Sequence, residues 1–281
     1  MRLLPRPIDW LNWTVRAAGI TVSRGIAYGR LSRQLLDIYT PEGALGQCPA
    51  ILFFYGGSWQ SGARGDAAFI AAALAQLGFV VVVPDYRLWP EVGYPHFIDD
   101  CKAAAHWVAA RIKGYGGDPR SLFLMGHSAG AYNAAMVALA SDAPDLTGVI
   151  GLAGAYDFLP LRDATLEKIF AGPDDLLMTQ PITRAHADAP PILLLTGAVD
   201  RVVLPRNTTS FAAKLRQLGA PVETRIYPRL GHVGILVALV PYLRWYAPVL
   251  RDILAFIEEC RAGGFARSGF DDEIPVVRRL P

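Results

Sequence analysis

Residues 121–140, SLFLMGHSAGAYNAAMVALA, constrain the fold of this chain more than any other stretch. The apolar run Ser121–Met125 ends abruptly in Gly126-His127-Ser128-Ala129-Gly130, and small residues at helical spacing follow at once. A strand that becomes a helix within one residue needs strained backbone angles at the turn. It also leaves no room for side chains two residues to either side, and glycine satisfies that demand. G-x-S-x-G in this setting is a nucleophile elbow, which raises a serine hydroxyl at a helix N-terminus whose unpaired N–H groups point where an oxyanion would form.

The same strand-to-helix rhythm runs through the rest of the chain. We expect a short amphipathic helix over residues 8–18 and strands over Gly19–Tyr28 and Arg33–Tyr39, closed by a loop with Pro41, Gly43 and Gly46. Ala50–Tyr55 is a continuous apolar run, as expected of a strand covered on both faces. Ala67–Leu77 has helical period and ends at Gly78, and Phe79–Val83 is β-branched. Further helices are predicted over Phe97–Ile112, Ala129–Ala140, Pro205–Leu218 and Pro241–Cys260. Further strands are predicted over Ser121–Met125, Val149–Ala153, Ile192–Thr196 and Val222–Tyr227. Alternation of this kind builds a mostly parallel sheet with helices on both faces. Between residues 156 and 190 the rhythm breaks, which marks a small cap insertion within a single α/β domain over 1–262; residues 263–281 lack periodicity and form a tail.

Composition narrows the function classes. A chain of 281 residues with 52% hydrophobic content buries a large core, and a net charge of +2 from 27 basic and 25 acidic residues, without charged blocks, gives no nucleic-acid footprint. Three widely separated cysteines outside any C-x-x-C pattern argue for a reducing compartment and against a zinc site. The prolines and Asp9 that follow Leu3-Leu4 interrupt any signal-peptide core, so the expected location is cytoplasmic. Pro241, Arg244, Pro248, Arg251 and Asp252 break the apolar region 233–257, so no integral membrane segment is expected.

In a parallel sheet a site forms beyond the carboxyl ends of the strands. Those ends carry Tyr55-Gly56-Gly57-Ser58-Trp59, Asp85-Tyr86-Arg87, Ser128, Asp157, Asp200 and His232. A serine needs a base, and histidine has the matching pKa. Of five histidines, His127 lies inside the elbow and is expected to turn away from Ser128, His96 and His106 share a helix, His186 lies in the insertion, and His232 follows the last strand. His232 is the candidate base, consistent with the chain order serine, acid, histidine. Asp200 is the candidate acid to hold its imidazole, with Asp157 as the competitor. Gly57, Ser58 and Ala129 are the candidate oxyanion donors, and Trp59, Tyr156, Phe158 and Val233 the candidate pocket lining.

Taken together, over about residues 25–260, Tyr55-Gly56-Gly57-Ser58-Trp59, Asp85-Tyr86-Arg87-Leu88 with Pro90-Glu91 and Pro95, Asp100, Trp107, Tyr115-Gly116-Gly117-Asp118-Pro119, the serine elbow, Asp200 and His232 resemble the α/β-hydrolase superfamily. The resemblance is to its hormone-sensitive-lipase-like and arylformamidase-like carboxylesterases. It implies an α/β-hydrolase fold and cofactor-free acyl-serine chemistry on a small-molecule ester, or alternatively on a formamide or other amide. A non-catalytic binding member of the fold would be expected to lack a triad residue. One departure stands out: the family's histidine before Gly-Gly, which braces the oxyanion loop, is Tyr55 here. Arg87 and Asp100 are expected to form a structural pair.

Overall fold

The computed structural model describes residues 18–265; the helix expected over 8–18 falls almost wholly outside them, as does the tail from 266 onward. The strands are β1 (Ile20–Ala27), β2 (Leu35–Pro41), β3 (Cys48–Phe54), β4 (Val80–Pro84), β5 (Gly117–His127), β6 (Gly148–Leu152), β7 (Ile192–Gly197) and β8 (Val222–Tyr227). They form one sheet in the order β1-β2-β4-β3-β5-β6-β7-β8. β2 runs antiparallel to both its neighbours, and the strands from β4 through β8 are mutually parallel. The chain passes from β3 to β4 on one side and then to β5 on the other, so the order reverses around β3. This is the kind of switch point at which open α/β sheets form a crevice.

Every residue of β4, β6 and β7 is buried, as continuous apolar runs require when helices cover both faces. The main helices are α1 (Ala68–Ala75), α2 (His96–Arg111), α3 (Ala129–Ala138), α4 (Ala164–Ile169), α5 (Arg206–Gln217) and α6 (Val249–Arg261). Helix α3 is buried along its whole length, so its alanines and Gly130 are packing residues as much as helix formers. Helix α5 buries Asn207, Thr208, Phe211, Ala212 and Leu215, a single face at helical spacing.

The structure departs from the sequence expectation at two places. β5 begins at Gly117, four residues before the strand expected from Ser121, because Gly117 and Asp118 already pair with Cys48 and Pro49. The helix expected over Pro241–Cys260 is divided: a short 3-10 turn covers Pro241–Leu243 and α6 starts only at Val249. Pro248 explains the break, since it lacks an N–H and suits a helix start. Between 156 and 190 the chain forms α4, capped by Asp163 accepting from the N–H groups of Thr165 and Leu166, and a helical turn over Pro181–Arg184. No helix among the described residues is long and apolar enough to cross a membrane.

Candidate active site

Ser128 sits between the last residue of β5 and the first of α3 with φ 56° and ψ −122°, a left-handed conformation that costs energy in any residue with a Cβ. Its neighbours hold it there. The Ser128 N–H donates to the Leu152 carbonyl at 2.9 Å, and its own carbonyl accepts from Ala131 at 3.0 Å. The flanking glycines are required by contact rather than by angle. A Cβ on Gly126 would overlap the Gly130 carbonyl, and one on Gly130 would overlap the Phe54 carbonyl of β3. The elbow thus fits against the neighbouring strand with no space for a methyl group.

Three side chains converge at this edge. The Ser128 hydroxyl lies 2.9 Å from His232 Nε2, and His232 Nδ1 lies 2.8 Å from Asp200 Oδ2. Asp200 follows β7 and is fixed independently of the histidine, because its Oδ1 accepts from the N–H groups of Val202 and Val203 at 2.8 and 3.0 Å. Its carboxylate is fully buried and the His232 ring is 11% exposed, so the pair is shielded from water on the acid side and open on the serine side. An acid in that position favours the tautomer with the proton on Nδ1, leaving Nε2 to accept from the serine hydroxyl. Asp157, the competing acid, has its N–H bonded to Asn207 Oδ1 and lies apart from this set.

A cavity of about 300 Å³ opens beside Ser128. Gly56, Gly57 and Ser58 form one wall, and a Cβ on Gly56 would come within 3.1 Å of the Ser128 Cβ. Gly57, Ser58 and Trp59 have φ of 129°, 52° and 58°, so the loop turns its backbone through three successive left-handed residues next to the serine. The Ala129 N–H opens helix α3 and has no intrahelical acceptor. The three expected oxyanion donors therefore lie in segments that flank the serine hydroxyl.

The apolar part of the cavity is formed by Phe53, Phe69, Ile70, Val202 and Leu236, and none of the four expected lining residues borders it. Trp59 is buried in an aromatic cluster, edge-on to Tyr132 and Phe170 with centroids 5.0 Å away in each case, and its Nε1–H donates to Asn133 Oδ1 at 3.0 Å. Phe158 joins the same cluster, 6.1 Å from Trp59. Tyr156 is fully buried, stacked on Phe211 at 4.9 Å with its hydroxyl against Gly151 and Gly154. Val233 is 58% exposed and does not border the cavity. Large rings after strand ends were drawn into the core because each such pair adds about 0.5–1.5 kcal/mol beyond its area.

His127 corrects another expectation. It does not turn away: its ring stands 4.7 Å from that of His232, it borders the cavity, and its Nε2 lies 3.0 Å from the His232 carbonyl oxygen. Burial, and then the neighbouring His232, push its pKa down to about 3. Arg87 and Asp100 pair as expected. Fully buried Asp100 accepts from Arg87 N, Nε and Nη2 at 2.8, 2.8 and 2.9 Å and from Gln34 Nε2 at 2.8 Å, away from the cavity. Among the described residues no group of three or more His, Cys, Asp or Glu side chains is arranged to hold a metal ion.

The BD-FAE family model matches residues 36–158. The probable carboxylic ester hydrolase LipM of Mycobacterium tuberculosis is 33% identical over 221 residues, spanning 69% of this chain and 51% of the relative. Esterase LipQ of the same organism is 32% identical over 272 residues, spanning 87% of this chain and 64% of the relative. The chain thus covers between half and two thirds of the length of these relatives. Among solved structures, esterase B of Lactobacillus rhamnosis superposes with a TM-score of 0.80 at 19% identity, over 92% of this chain and 93% of that one, a likeness of fold.

Proposed function

Because the chain belongs to the carboxylesterases of the α/β-hydrolase superfamily, we propose that it hydrolyses carboxylic esters through an acyl-serine intermediate, with Ser128 as nucleophile, His232 as base and Asp200 as the acid that orients it. The observation that carries this reading is the position of the His232 ring, with one nitrogen 2.9 Å from the Ser128 hydroxyl and the other 2.8 Å from the Asp200 carboxylate.

The Ser128 oxygen attacks the ester carbonyl as its proton passes to His232 Nε2, and the imidazolium is balanced by Asp200. The charge that develops on the carbonyl oxygen meets the N–H groups of Gly57, Ser58 and Ala129, each contributing about 3 kcal/mol if aligned. Collapse expels the alcohol, which takes the proton from His232. Water then enters, loses a proton to the same nitrogen, and releases the acid. The neighbouring apolar cavity of about 300 Å³ suits a short or medium acyl chain or a single aromatic ring. Residues 156–190 serve as a cap in this reading.

Hydrolysis of p-nitrophenyl acetate and butyrate, together with mass labelling by a fluorophosphonate, tests the proposal. Wild type should turn over both esters and gain one phosphonyl adduct on Ser128, and Ser128→Ala should do neither. Labelling elsewhere, or equal turnover by the variant, would overturn it. Setting N-formylkynurenine beside the esters then separates ester from formamide preference.

A further inference from the structure

Tyr55 is the last residue before the Gly56–Ala63 loop, at the position where the family carries a histidine, and its side chain does more than fill space. The phenolic hydroxyl donates to Asp85 Oδ1 at 3.0 Å and accepts from Arg33 Nη2 at 3.0 Å. Arg33 lies in the turn between β1 and β2; the same Nη2 also donates to the Gly62 carbonyl at 2.9 Å, and its Nε donates to the Tyr86 carbonyl at 2.9 Å. Asp85 Oδ1 accepts the Arg64 N–H at 2.7 Å, and the Arg64 guanidinium bonds Asp85 Oδ2 and, at 2.8 Å, Asp37 Oδ1. Both ends of the loop are therefore tied to one hub: Tyr55 at its start, and Gly62 and Arg64 at its finish.

The ring adds a steric stop. Tyr55 stacks on Tyr86 with centroids 4.8 Å apart, the Tyr86 hydroxyl donates to the Tyr55 carbonyl at 2.8 Å, and a Cβ on Gly62 would lie 2.7 Å from the Tyr55 ring. Gly62, at φ 107°, passes directly over the phenol. Asp85 and Tyr55 are 5% and 4% exposed, so these bonds are shielded from water and strengthened accordingly. Burial raises the phenol's pKa, which keeps it a neutral donor.

We infer that Tyr55 is a positioning residue which, through Arg33 and Asp85, closes the Gly56–Ala63 loop into a rigid ring and so fixes the Gly57 and Ser58 N–H groups beside Ser128. The inference rests on the ester-hydrolase reading for its catalytic consequence and on geometry alone for its structural one. The loop must hold three successive left-handed residues. The Gly57 carbonyl accepts from Gln60 and Ser61 at 3.0 and 3.1 Å, an internal turn that sets curvature but not placement. Placement comes from outside: Trp59 anchors the middle of the loop, its carbonyl accepting from the Trp89 N–H at 2.8 Å and its indole bonded to Asn133, and the hub anchors both ends.

The test compares wild type with Tyr55→Phe and, in case that variant folds poorly, Arg33→Met, which cuts the bond to Gly62 and leaves the tyrosine. Tyr28→Phe is the control: it removes a 2.5 Å bond to the Asp85 main-chain carbonyl without touching the loop. Three readouts are taken: kcat and KM for p-nitrophenyl butyrate, inhibition by an alkyl trifluoromethyl ketone that forms a tetrahedral adduct, and backbone amide exchange over 56–64. Loosening the donors should lower kcat at least about tenfold with KM within twofold, weaken the ketone in parallel, and speed exchange at 57–59, while Tyr28→Phe leaves all three unchanged. Loss of thermal stability with kcat and ketone affinity intact would overturn the inference, as would unchanged exchange in the loop. Amide exchange needs no turnover, so a wild type inactive on every ester would sink the ester-hydrolase reading and leave the loop's placement to be judged by exchange alone.

Discussion

His127 Nε2 lies 3.0 Å from the carbonyl oxygen of His232, so the residue just before the elbow serine grips the main chain of the residue that faces that serine. The contact requires a proton on Nε2, and the ring that carries it stays neutral because burial, and then the neighbouring His232, hold the pKa near 3. A histidine whose folded pKa lies below its unfolded value binds fewer protons when folded. Its contribution to stability is therefore complete above the unfolded pKa of about 6.5 and declines as pH falls toward 3, by up to about 1.4 kcal/mol per pH unit. We expect Tm to fall with acidity across that window in wild type, and to fall less steeply in His127→Gln, whose amide still donates to the carbonyl. Parallel slopes in a Tm-against-pH series would refute the assignment.

Asp200 offers a cleaner separation of chemistry from folding. Its Oδ1 holds the Val202 and Val203 N–H groups while Oδ2 faces His232. Asp200→Asn can keep the first contact but presents an NH₂ to Nδ1, which selects the wrong imidazole tautomer. The expected loss in kcat is about 10³–10⁴-fold with Tm nearly unchanged. Asp200→Ala should lose both activity and stability, and a Tm drop of equal size in the two variants would count against the separation.

The cavity wall formed by Ala67, Phe69 and Ile70 meets the space beside Ser128. Ala67→Leu would push apolar volume into it. We expect kcat/KM for p-nitrophenyl hexanoate to fall about tenfold while the acetate ester is hydrolysed within threefold of wild type, consistent with the few kcal/mol that a methylene-sized misfit costs. An equal loss on both esters would mean that the acyl group binds elsewhere.

Asp100 carries no chemistry in this scheme. It is fully buried and accepts four hydrogen bonds, three of them from Arg87. Asp100→Ala removes the buried acceptor of four hydrogen bonds and leaves the half-buried Arg87 guanidinium with only the His96 carbonyl, and should cost about 1–3 kcal/mol in urea unfolding. The KM of whatever protein still folds should match wild type.

The strands and the converging triad were legible in the sequence for a physical reason. Fully covered strands such as Val80–Pro84 are apolar at every position, and polar residues just past such runs, Asp200 after β7 or His232 after β8, have little other reason to be there. Cavity lining was not legible, because Phe69, Ile70 and Leu236 have the same apolar periodicity whether they face a void or another side chain. Trp59 and Tyr156 misled for the converse reason: they adjoin the site in sequence, but their rings gain more by burial in aromatic contacts than by bordering solvent. Arg33 belongs to no motif, and only the fold of the β1–β2 turn against β3 and β4 brings it to Tyr55. The division of the last helix was written in Pro248, but the apolar residues around it kept a helical rhythm that masked the break.

Ser128, Asp200 and His232 each follow a different strand, and β5 through β8 are locked side by side through their main chains. Alignment of the three groups consequently begins with the ladder and is finished by short contacts just past the strand ends, Asp200 on the Val202 and Val203 N–H groups and the His232 carbonyl on His127. The long stretch 156–190 supplies none of those contacts. Under the proposed ester-hydrolase reading, new substrate preferences could then be grafted there without disturbing the three aligned side chains.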